Sequence, residues 1–110
     1  MTDYSKFSDF EINKAVFVKT QYYDEVIDKP VRDGASVHWG DGCNWREFDP
    51  CNNPADAWQI IAENHIGIAP YPSEAYAWSS RHGMASDLSA EDKNPLRAAM
   101  IVFLMMQEGR

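Results

Sequence analysis

The chain has 110 residues, the size of one domain, and its 45% hydrophobic and 13% aromatic content excludes an intrinsically disordered polymer. Its net charge is −7, from 17 acidic and 10 basic residues. No two basic residues are adjacent, which excludes the clustered positive footprint that direct binding of DNA or RNA requires.

From the start, Met1-Thr2-Asp3 is not followed by a basic region and an apolar stretch, so no secretory signal peptide is expected. Phe7-Ser8-Asp9-Phe10-Glu11-Ile12 reads as a helix start. Ser8 caps the amide three residues on, Glu11 reaches back, and Phe7 and Ile12 occupy the positions of a hydrophobic staple. The helix is expected over about residues 8–16, because Val16-Phe17-Val18 favours an extended chain. Two β-prone runs then flank Gly40-Asp41-Gly42, which predicts a hairpin in which Trp39 and Trp45 pair across the strands. Asn53-Pro54 opens a second helix, 54–64, whose buried stripe is read as Trp58, Ile61 and Ala62. Ile66 to Ala69 and Ala75 to Ser80 are expected as strands. Residues 83 to 93 are expected as loop, with at most a brief pairing over Ser86 to Leu88. Asn94-Pro95 repeats the second helix's opening and starts a third helix, 95–108. The sum is a single α+β domain over 1–110: a small antiparallel sheet of short strands with three helices packed on it, the C-terminal helix central.

That last helix carries nine apolar residues in a row, Ala98 to Met106. A membrane span needs about 20, so no membrane partner is expected and the helix is read as buried. Ala99, Phe103 and Met106 form one stripe; Ile101, Leu104 and Met105 face away from it. The second stripe is expected to support self-association as a homodimer interface, with a wholly internal helix as the alternative.

Residues able to carry chemistry are few. His38, Asp41, Cys43 and Cys51 are metal-ligand types, but the paired-cysteine spacing of a structural zinc site is missing, so neither metal nor cofactor is expected. Both cysteines are read as reduced thiols of a cytoplasm. A disulfide between them is the alternative reading, and none is needed for folding. Cys51 precedes a helix start, which can lower a thiol pKa, yet no histidine is placed beside it as a base. His38, Trp39, Asp41, Trp45 and Cys51 together are the candidate cleft for a small enzyme or ligand-binding domain. No catalytic residue is assigned.

Three stretches are distinctive: Ser8-Asp9-Phe10-Glu11-Ile12-Asn13-Lys14, the run from Phe48 through Asp49-Pro50-Cys51-Asn52-Asn53-Pro54 to Ile61, and the run from Asn94-Pro95-Leu96-Arg97 to Gln107. In them the chain resembles the NinX proteins, small accessory proteins of lambdoid bacteriophages and prophages. The resemblance implies an α-β-α sandwich-like domain and the cytoplasm of an infected bacterium. It implies no activity and no catalytic residues. The leading expectation is a non-catalytic module that binds a phage or host protein. A small enzyme or ligand-binding domain and an acidic antagonist of a host nucleic-acid enzyme are the rivals.

Overall fold

The computed structural model describes residues 2–20, 25–26, 34–40, 45–79 and 88–108, with Glu25, Val26 and Trp45 described by backbone alone. A 3-10 turn, Tyr4–Lys6, leads into α1, Asp9–Thr20. Then follow β1 (Glu25–Val26), β2 (Val37–Gly40), β3 (Trp45–Phe48), α2 (Pro54–Glu63), β4 (Ile66–Ala69), β5 (Ala75–Ser79), β6 (Ser89–Asp92) and α3 (Pro95–Glu108). The fold is α+β. The strands divide between two antiparallel three-stranded sheets, β1-β2-β3 and β4-β5-β6.

All three helix starts use the caps their sequences provide. The Ser8 hydroxyl accepts from the Glu11 N–H at 3.1 Å, and the Glu11 carboxylate accepts from the Ser8 N–H at 2.9 Å. This reciprocal arrangement satisfies two N–H groups that lack helical partners. Asn53 caps Ala55 at 3.0 Å, and Asn94 caps Leu96 at 2.9 Å and Arg97 at 3.3 Å.

The end of α1 departs from expectation. Val16 and Phe17 lie inside the helix and are wholly buried. Phe17 packs on Phe48 and Trp39, with ring centroids 5.6 and 5.4 Å away. Packing of the first sheet against the helix outweighs the modest β preference of these residues.

α2 is rotated from the expected stripe. Ala57, Ile60 and Ile61 are buried and Trp58 is 67% exposed. The cause is a tether at the helix start: Asp56 Oδ2 accepts from the Asp49 N–H at 2.9 Å. Asp56 and Ile60 are four residues apart and share a face, so the tether turns Ile60 inward and leaves Trp58 outside.

β6 replaces an expected loop. Ser89–Asp92 has little strand propensity, but β5 offers it a ladder, and Ser79 N–H extends the pairing to the Leu88 carbonyl at 3.0 Å. Residues 80–87, including Ser86 and Asp87 of the brief pairing expected over Ser86 to Leu88, lie outside the described residues.

α3 is the centre. It packs on all three strands of the second sheet and on α1 and α2. Ala98 to Leu104 and Met106 are buried without a break. Elements on every side meet an apolar helix surface, which is why nine apolar residues in a row can stand here. Among the described residues no helix is long and apolar enough to cross a membrane.

Candidate functional site

Of the candidate cleft, the side chains of His38, Trp39 and Cys51 are described. His38 and Trp39 are neighbours on β2 and so point to opposite sides of the sheet. Trp39 packs on Phe17 and receives the Arg46 guanidinium 5.4 Å from its ring centre. The ladder pairs Trp39 with Arg46 and Trp45 with Gly40, so the two tryptophans are not cross-strand partners. His38 is buried, with Nε2 3.3 Å from Glu47 Oε1 and Nδ1 lacking a hydrogen-bond partner among the described residues. Asp41, Cys43 and the side chain of Trp45 lie outside the described residues.

Cys51 is fully buried and free. Burial, reinforced by the charge of Asp9, pushes its thiol far above the ordinary range, against the opposing pull of Arg97. A helix start does not activate a thiol held this way. In the folded chain Cys51 is expected to resist iodoacetamide at mildly alkaline pH and to react fully in denaturant. Peptide mass spectrometry of the alkylated chain reads this directly; native labelling at Cys51 would contradict it.

The second stripe of α3 is also covered. Ile101 and Leu104 are buried within the chain and Met105 is half-buried. The residues expected as a homodimer interface thus mostly face the chain's own interior. A recess of about 200 Å³ beside Ile101 and Met105 is lined by the N-terminal segment Thr2 to Ser5 and by β6. One sheet could not have covered both stripes; an N-terminal segment and two further helices can.

The starts of the three helices converge on one polar knot. Asn13, wholly buried on α1, donates to Asp49 Oδ1 at 2.6 Å and to the Ala35 carbonyl at 2.9 Å, and accepts from the Cys51 N–H at 3.0 Å. Asn94 donates to the Cys51 carbonyl and, at 3.1 Å, to Asn52 Oδ1. Asn52 donates to Asp9 at 3.2 Å. Arg97 donates to Asp9 at 2.7 Å, to Asp92 at 2.9 Å and to the carbonyls of Phe7 and Ser5. Burial works against the Arg97 charge, but the hydrogen bonds and charges of Asp9 and Asp92 outweigh it and hold the guanidinium above its ordinary value. Every polar group of the knot named here has a partner, so it reads as architecture.

Among the described residues, one open aromatic surface lies on the second sheet. Ala75, Ala77 and Ser79 of β5 face α3 and are buried. The alternate residues Glu74, Tyr76 and Trp78 face outward. The register sets Ala69 and Glu91 on either side of Tyr76, and Gly67 and Ser89 on either side of Trp78. Tyr76 and Trp78 stack at 5.7 Å with 27° between their planes. The Trp78 indole lies across Gly67, where any side chain would collide with it. Tyr76 is 37% exposed, and Tyr71, at the turn beyond β4, is 63% exposed. By sequence, Tyr76 and Trp78 lie on the expected strand from Ala75 to Ser80, with no role given to either. The missed signal is the alternation of Ala75-Tyr76-Ala77-Trp78-Ser79, in which the small residues face the bulky helix. A longer groove of about 550 Å³ runs along α1 between Phe7 and Val18, but its rim mixes Glu11 with Lys14 and Lys19.

A family model described as Bacteriophage P22, NinX matches residues 3–107. The chain belongs to the NinX family. No curated protein matches it, and no solved structure does. The three stretches in which the chain resembles NinX proteins supply most of the knot's side chains: Asp9 and Asn13 from the first, Asp49 and Asn52, with the Cys51 backbone, from the second, and Asn94 and Arg97 from the third; Asp92 lies outside them. In this NinX member the distinctive motifs therefore hold the helix starts together, and the aromatic sheet face is built from residues outside them.

Proposed function

We propose that this phage accessory protein is a non-catalytic module that binds a phage or host protein in the cytoplasm of the infected bacterium. One observation carries the reading. The open aromatic surface lies on a sheet, whereas, among the described residues, Cys51 and His38 are closed in. Exposed rings fixed in a ladder suit protein recognition, because large aromatic side chains give contact area at small entropic cost. The family membership supports the phage setting.

The test is affinity capture from infected cells with wild type and Tyr76→Ala, read by mass spectrometry. The expected result is a phage or host protein captured stoichiometrically by wild type and lost with Tyr76→Ala. Since Tyr76 is on the surface, both chains should melt alike. Capture that survives Tyr76→Ala would remove the sheet face from the proposal. A turned-over small molecule found with the purified chain would favour the enzyme reading, and capture of a nucleic-acid enzyme with loss of its activity would favour the antagonist.

A further inference from the structure

We propose that the outer face of β4-β5-β6 takes an arginine-bearing segment of its protein partner, with a guanidinium stacked on Tyr76 and paired with Glu91. This rests on the reading of that face as the docking surface and gives its occupant a chemistry.

The face has two properties that together select a planar cation. Tyr76, exposed, and Trp78, half-buried, provide ring surfaces standing on alternate positions of one strand, and Tyr71 is a further exposed ring at the turn beyond β4. An aromatic face attracts a cation through its quadrupole, and a guanidinium also stacks as a plane. Directly opposite Tyr76 on β6 stands the exposed Glu91. Glu74, two residues before Tyr76, shares a side-chain hydrogen bond with Glu91; that bond, burial and the charges of Glu91 and Asp92 hold Glu74 above the usual carboxylate range, while Lys93 offsets them only in part. Asp92 is already engaged by Arg97 and the Asn94 N–H. Glu91 thus stands as an exposed acidic group directly across from the Tyr76 ring, and Glu74 is a second exposed acidic residue next to β5. A guanidinium answers with two parallel N–H donors; a lysine ammonium offers a point charge and no stacking plane. The chain's overall charge of −7 favours approach of a basic partner and opposes a polyanion.

The spacing extends the argument. Residues two apart on a strand lie about 7 Å apart on one face. An extended partner segment with arginines at alternate positions would set one over Tyr76 and Glu91 and the next beside Trp78 and Ser89.

The experiment uses the whole chain and a blocked pentapeptide with two arginines separated by one alanine. Lysine and citrulline versions serve as controls. Binding is followed by NMR shifts and by Trp fluorescence. The expected result is saturable binding whose largest shifts fall on Tyr76, Trp78 and Glu91. Tyr76→Ala should weaken it about tenfold, in line with a cation–π contact. Glu91→Gln should weaken it several-fold, the lysine peptide should bind more weakly and the citrulline peptide not at all. The inference is overturned by no saturable change at millimolar peptide, by equal binding of the citrulline or lysine peptide, or by shifts unaffected by Tyr76→Ala. It is also overturned if a single-stranded oligonucleotide or a second copy of the chain occupies Tyr76 more tightly than the arginine peptide. The two proposals fail separately. A captured protein that depends on Tyr76 but lacks an exposed arginine segment sinks this inference and leaves the binding module standing. Arginine-peptide binding with no protein captured does the reverse.

Discussion

Phe103→Ala is expected to lower stability by about 3–5 kcal/mol, the range for emptying a large aromatic site in a closed core. Phe103 is 3% exposed on the helix against which α1, α2 and all three strands of the second sheet pack. Its neighbours along α3, Ala98, Ala99 and Met100, are also buried, and the alanines have no length with which to reach into a vacated space. A loss of that size is a large fraction of the ~5–15 kcal/mol of a typical domain. By the usual scaling of about 4–8 °C per kcal/mol for domains near this length, the thermal midpoint should fall by well over 10 °C. Phe103→Leu keeps most of the volume and should recover most of the loss. Urea and thermal unfolding measure both variants. A Phe103→Ala chain that melts with wild type would show that α3 is not the core element.

Arg97→Met is expected to destabilise by about 3 kcal/mol, near the lower end of the range for removing one partner of a buried ion pair. The side chain is 11% exposed and is shared by Asp9, Asp92 and the carbonyls that lead into α1. Methionine fills similar space but leaves two carboxylates facing each other without a cation. Lysine reaches one of them and not the others, because it lacks the fork, so Arg97→Lys should fall between. The effect should be local as well as global. Amides of Asp9 to Asn13 should exchange faster in Arg97→Met, since the start of α1 is tied to α3 through this side chain. Asp92→Asn made on the Arg97→Met background should then be nearly neutral or favourable, a non-additivity expected of groups in one network. Additive losses and unchanged exchange would mean the contacts contribute little.

These two expectations rest on features of very different legibility. The helix starts could be read from sequence because a cap is a local device: Ser8 with Glu11, Asn53 with Pro54 and Asn94 with Pro95 each act within four residues. The apolar run of α3 was readable as a core helix on length alone. What a local reading misplaced depends on distant partners. Val16 and Phe17 are helical because a sheet from residues 37–48 packs on them. Ser89–Asp92 is a strand because β5 lies alongside it. Trp58 points out because Asp56 is tied to Asp49. The open sheet face depends on which side of β5 meets α3, and that is fixed by register across three strands. Arg97 gave little signal of its role: Asp92 is close in sequence, but Asp9 and the Phe7 carbonyl lie 88 and 90 positions earlier.

The central position of α3 also sets the order of events during synthesis. Chains emerge N-terminus first at roughly 5–20 residues per second, and α3 is the last of the described elements to appear. Until it arrives, the inner faces of Ala75, Ala77 and Ile66 have nothing to rest on, and α1 and α2 lack the helix that joins them. The knot cannot close either, because Asn94 and Arg97 are late residues that bind early ones. Contacts of such long separation slow folding by the loop-closure entropy they require. The nascent chain therefore carries the second sheet without its helix until α3 is made. Structure should come in one late step, and a ribosome-bound chain halted before Pro95 should be the form that chaperones and proteases find.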